Sequence, residues 1–281
     1  MFRIPIYLTL LATCAVALAT VRVDPTLLYR VTREDGVVEN LSALALLGLG
    51  LSLGWRLWRQ RPPALQGWPL RGAWALVVLA FLGVGEEISW GQRVFGWETG
   101  EAMNRYNLQH ETNLHNLMPG ELFNGLIVFA VGIGFVLIPT LWRGRPSAPV
   151  WLPSDEVSLL LLDAILINHY RFRTAPEKVG IVVMLALLLY YSWSGWRDRS
   201  GPLMAGAGLG WLVAVSLYWS RGVLRAANHQ YEIRELLIVL LLTVWAHQAV
   251  DAYKAPLTPP TKEGQASGRL KSSFARASVP R

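Results

Sequence analysis

The stretch that decides the fold is Gly72 to Trp90, GAWALVVLAFLGVGEEISW. Its first fourteen residues carry no charge, and then two glutamates, Glu86 and Glu87, stand side by side. At ~1.5 Å rise per residue the run is long enough, as a helix, to cross roughly 30 Å of hydrocarbon. Similar runs cover Ile4–Thr20, Leu41–Trp58, Leu122–Trp142, Val179–Trp196, Leu203–Ser220 and Leu236–Tyr253. A shorter run, Val157–Ile167, extends through Asn168 and His169 or is re-entrant. The expectation is an all-α polytopic transmembrane bundle of about eight spans with a polar extracytoplasmic loop region.

The composition agrees. Of 281 residues, 53% are hydrophobic and 16% charged, and the mean hydropathy is +0.33. An ordinary soluble chain carries roughly 25% charged residues. A soluble enzyme and a nucleic-acid binder are excluded on this ground. The single cysteine, Cys14, excludes an intrachain disulfide scaffold.

Basic residues collect in the loops holding Arg59, Arg61 and Arg71, Arg143 and Arg145, and Arg197 and Arg199, and in the tail. By the positive-inside rule both termini lie in the cytoplasm of an inner-membrane protein. Residues 1–254 form the integral-membrane domain; 255–281, rich in Pro, Ser, Gly and Lys, read as a disordered basic cytoplasmic tail. Tryptophans near the span ends match interfacial belts. Gly50/Gly54 and Gly206/Gly210 are small-xxx-small pairs for close helix approach.

Polar chemistry gathers in four segments. An ionised side chain deep in a bilayer costs on the order of 3 kcal/mol, so Glu86 and Glu87 need partners, protons or water. On a continuous helix Glu86, Ser89, Trp90 and Arg93 share a stripe, which pairs Glu86 with Arg93 and leaves Glu87 for another task. The bland alternative is a structural ion pair.

In Asn107–Asn116, His110, Glu111 and His115 are metal-ligand residue types at close spacing, although the order is not that of zinc proteases. If helical, this segment pairs Glu111 with His115 and His110 with Asn113. A third segment holds His229 and Glu232, and a fourth, Asn168–Arg173, mixes aromatics with Arg171 and Arg173. With eight spans all four fall on one side. The acids lie near that face and none mid-span, which argues against a through-membrane path.

The stretch from Arg33 through Glu86–Arg93 to Asn113–Asn116 resembles a group of uncharacterised bacterial multi-pass membrane proteins with an EEISWGQR-then-NLHN pattern. The resemblance implies which residues matter, and no reaction. The chain is more loosely similar to the CAAX-processing and bacteriocin-immunity membrane proteases, whose first motif is two glutamates and an arginine. Here the arginine, Arg93, comes later than in that family, and the family's histidine motifs are missing.

Three readings follow. The first is a metal-assisted hydrolase or transferase on a lipid or lipid-linked substrate. Its catalytic groups are Glu86, Glu87 and His115, and Arg93, Arg171 and Arg173 hold an anionic headgroup. A divalent metal, zinc or iron, sits among Glu87, His110, Glu111, His115, His229 and Glu232. The second is a non-catalytic scaffold or small transporter. The third is a glutamate-type intramembrane peptidase. Membrane lipids are the expected partners, with no nucleic acid.

Overall fold

The computed structural model describes residues 26, 30, 32, 36–107, 110–114, 117–167, 175–227 and 230–254. They form helices: α1 Val37–Arg59, α2 Gly67–Glu87, α3 Gln92–Phe95, α4 Glu101–Tyr106, α5 Gly120–Val131, α6 Ile138–Trp142, α7 Asp155–Leu166, α8 Ala175–Arg197, α9 Gly201–Ala227 and α10 Gln230–Ala252. No strand occurs among the described residues. Lipid offers no hydrogen-bond partner, so each spanning segment satisfies its own backbone as a helix. The chain is a polytopic helical membrane protein.

Six helices are long and apolar enough to span: Val37–Arg59, Gly67–Glu87, Leu122–Trp142, Glu177–Arg197, Gly201–Trp219 and Tyr231–Ala252. They coincide with six of the expected runs. The run at Ile4–Thr20 and the tail at 255–281 lie outside the described residues.

The Leu122–Trp142 span is not α-helical throughout. Pro139 has no N–H and its ring collides with the carbonyl four residues back, so the turn before it opens into a π segment, Gly132–Leu137. Thr140 Oγ1 donates to the Val136 carbonyl at 2.6 Å within that wider turn.

The short run becomes α7, and its place decides the core. Every residue from Val157 to Ile167 is buried. Helix α7 packs against α8, α9, α10 and the π segment, so protein surrounds it where lipid surrounds the longer helices. Ser154 caps its start, its side chain accepting from the Val157 N–H. Helix α10 lies between α7 and α1, and α1 packs along α2. The space left by Gly50 is closed by the Phe81 ring and that of Gly54 by Val77, so the first small-xxx-small pair seats α2.

Ion pairs define the two ends. Arg143, after α6, pairs with Asp155 at the start of α7 and Asp198 after α8, both at 2.8 Å. Helix α8 is ~34 Å long, so its start lies at the opposite end. The chain has therefore changed sides between the start of α7 and the start of α8, although α7 itself, at ~18 Å, is too short to be one of the six spanning helices. Arg56, late in α1, pairs with Asp251, late in α10, at the Arg143 end. That end also carries Arg59 stacked over Trp55 and Trp58, Arg145 over Trp142 and Arg197 over Trp193. Long basic side chains lying on tryptophans suit a membrane interface.

Candidate functional site

Helix α2 stops at Glu87 because three consecutive residues turn left-handed: Ser89 (φ +47°), Trp90 (φ +53°) and Gly91 (φ +89°). Two of them are not glycine, so each costs on the order of 1–2 kcal/mol and needs support. Trp90 supplies part of it by folding back over the helix. Its ring fills the space a Gly85 side chain would take, with ring carbons 2.9–3.1 Å from the Cβ position. Its indole N–H donates to Glu86 Oε1 at 2.7 Å, and the Leu114 N–H donates to Glu86 Oε2 at 2.6 Å.

The rest of the support comes from the loop. Ser89 Oγ donates to Glu111 Oε2 at 2.7 Å, and Asn113 Nδ2 donates to the same oxygen at 2.8 Å. Asn107 Nδ2 donates to the Asn113 carbonyl and to Asn113 Oδ1 at 2.7 and 2.8 Å. Ser89, Asn107 and Asn113 are buried. Around them, Gln92 donates to Thr99 and accepts from the Thr112 N–H, while Thr99 donates to the His110 carbonyl. The result is a polar knot in which the donors named here are satisfied by neighbours in the same loop.

This geometry corrects several expectations. The stripe joining Glu86 to Arg93 assumed an unbroken helix, but the left-handed turn interrupts it. Trp90 still reaches Glu86; the Arg93 side chain lies outside the described residues. Residues 110–114 are not helix, so His110 and Asn113 are not a helical pair. His110 is exposed and meets the Asn104 carbonyl through Nδ1 at 2.8 Å. A carbonyl only accepts, so Nδ1 carries the proton. Glu111 is drawn to Ser89 and Asn113. Among the described residues no group of three or more His, Cys, Asp or Glu is placed to hold a metal. His115, Arg171, Arg173 and His229 lie outside the described residues.

A second group of acids occupies the same end of the bundle. Glu232, near the start of α10, is 9% exposed. It lies within electrostatic reach of Glu235 on its own helix, Glu39 on α1 and Glu87 on α2. Two of the six expected metal ligands, Glu87 and Glu232, thus feel each other electrostatically, as do Glu39 and Glu232, but they are not placed as a metal-binding group. Beside them Arg234, 1% exposed, donates to Asn124 of α5 and to Glu235. No sequence pattern pointed to Glu39 or to a role for Arg234, because their neighbours come from other helices.

Sequence reading also passed over Asp163. It lies in the middle of α7, 1% exposed, and both carboxyl oxygens are buried without a hydrogen-bond partner. It is the only charged residue of the Val157–Ile167 run, which was the available signal. Acids therefore occur inside the bundle as well as at its end, contrary to the expectation that none is mid-span.

At the far end, Arg56 donates to His247 Nδ1 and to Asp251, and His247 Nε2 meets Ser52 Oγ at 3.0 Å. Since Arg56 only donates, the His247 proton is on Nε2. Arg143 also donates to Ser194. Burial pushes the Asp155 carboxyl up despite Arg143 beside it. Asp198 is held below the usual carboxylate range by its hydrogen bond to Arg197, helped by Arg143.

The fold and these clusters define a polytopic helical membrane protein with acidic groups at one end and one acid in its interior. No protein-family model, curated protein or solved structure matches the chain.

Proposed function

We propose that this chain is a small membrane transporter that takes up a cation at the Glu232 cluster. The carrying observation is that its acids lie at two depths. Glu39, Glu87, Glu232 and Glu235 gather at one end, and Asp163 lies inside the core. Ionisable groups in a membrane interior are costly to keep and mark ion and proton routes. The basic, tryptophan-lined Arg143 end supports a cytoplasmic placement in an inner membrane, with the Glu232 cluster facing outward. Purified protein in liposomes should conduct protons or small cations down an imposed gradient, and Glu232→Gln should slow the flux. Flux no greater than in protein-free liposomes for every cation tried would refute the reading.

A second reading, a metal-assisted hydrolase or transferase on a lipid or lipid-linked substrate, is favoured by the meeting of Glu87 with Glu232. Zinc or iron would need ligands beyond these two, such as the expected His115 and His229, which lie outside the described residues, and would supply Lewis-acid activation of water. Stoichiometric metal in detergent-purified protein, lost in the double variant Glu87→Gln/Glu232→Gln, would select this reading. The peptidase reading has Glu86 and Glu87 activate water, a role at odds with the bonds of Glu86 to Trp90 and Leu114.

A further inference from the structure

The Asp163 carboxyl has an unusual address. Helix α7 begins beside Arg143, and at ~1.5 Å per residue Asp163 lies roughly 12 Å further in. It faces α9 at Gly210. A Cβ at Gly210 would stand 2.2 Å from Asp163 Oδ1 and 2.7 Å from a Leu188 methyl, so the carboxyl fills the space left by the missing side chain. The surroundings are apolar.

The groups that could set its charge state come from each neighbouring helix. The π segment and α6 contain no charged residue. Helix α9 has none from Gly201 to Trp219. Helix α8 contributes Tyr191 to this core, its hydroxyl bonded to Thr140. Helix α10 has Glu232 and Arg234 near its start and His247 and Asp251 near its close. Among the described residues neither Asp163 oxygen has a hydrogen-bond partner.

An ionised carboxylate here would cost several kcal/mol, with no counter-ion to offset it. A metal cation would require several oxygen ligands, and Asp163 Oδ1 instead packs on Gly210, with a Leu188 methyl beside that glycine. A proton requires none. A neutral, unpaired acid is still less favourable than a satisfied group, so Asp163 contributes nothing to holding the fold. The adjoining π segment packs against α7, with Ile165 near Gly132, and such segments are frequent at functional sites.

We propose that Asp163 is a proton-binding site in the membrane interior. It is the neutral acid in this conformation and releases its proton when the bundle opens to water. This rests on the transport reading for its purpose, not for its chemistry.

The test is N,N′-dicyclohexylcarbodiimide, an apolar reagent specific for protonated carboxyls. The acid proton moves to one carbodiimide nitrogen as a carboxyl oxygen bonds to the central carbon. An acyl shift from oxygen to nitrogen then leaves a stable N-acylurea. Treated as the full chain in lipid and read by peptide mass spectrometry, Asp163 should be modified. A water-soluble carbodiimide with an amine should instead modify exposed acids such as Glu101. Asp163→Asn should remove the label and keep wild-type thermal stability, because an amide matches the neutral acid in shape. Absence of label on wild-type Asp163 would overturn the proposal, as would a large loss of stability in Asp163→Asn. If Asp163 is labelled but liposomes show no flux, the proton site stands and the transport reading falls.

Discussion

Gly210→Ala tests how α7 is seated. The new Cβ would lie 2.2 Å from Asp163 Oδ1 and 2.7 Å from Leu188 Cδ1, so at least one must retreat by about an ångström. Neither has room, since Leu188 and Asp163 are 0% and 1% exposed. Overpacking of this kind costs about 1–3 kcal/mol, offset in part by the better helix propensity of alanine, about 1 kcal/mol. The net expectation is a loss of up to about 2 kcal/mol. Gly208→Ala, on the same helix with nothing within 4 Å of its Cβ position, should keep the propensity gain without the clash. Adding Asp163→Ala to Gly210→Ala should recover most of the loss, because the two sites touch. Thermal unfolding in detergent, followed by tryptophan fluorescence, separates the four proteins. Equal stability of Gly210→Ala and Gly208→Ala would refute the packing of Asp163 on α9.

Glu86→Ala removes the acceptor of the Trp90 and Leu114 hydrogen bonds; at about 1 kcal/mol per bond, ~2 kcal/mol should be lost. Limited proteolysis should then cut between α2 and α5 faster, and an unchanged cleavage rate would dismiss the knot as a brace. Glu232→Gln relieves crowding among carboxylates, so without divalent cations its melting temperature should equal or exceed that of the wild type. Added magnesium or zinc should raise the wild type's more, by mass action; an identical response in both would remove Glu232 from the cation site. The acids at Arg143 should respond oppositely to pH. Asp155, pushed up by burial, takes its proton before the unfolded chain does, so it adds stability as pH falls through its folded value toward about 4. Asp198, held low by Arg197, supports the fold above about 4 and loses that effect below it. Asp155→Asn should therefore steepen the decline of melting temperature between pH 7 and 4, and an unchanged profile would count against the burial argument.

The helical spans were legible in the sequence because lipid leaves a backbone no partner but itself, so an apolar run of sufficient length has one solution. Gly50 and Gly54 were legible for a similar local reason: the absence of two side chains on one face is visible without knowing what fills the gap. The end of α2 was not legible. Its left-handed turn at Ser89 and Trp90 is held by Glu111 and Asn113, more than twenty residues away, and no local propensity predicts that. The company of Glu232 was hidden in the same way, since Glu39 and Glu87 reach it from two other helices. Least legible was α7. Hydropathy reports that a segment avoids water, and lipid tails and leucine side chains satisfy it equally. Only packing decided that Val157–Ile167 is enclosed by protein, and that enclosure turns Asp163 from one acid in an apolar run into a carboxyl with no partner but a proton.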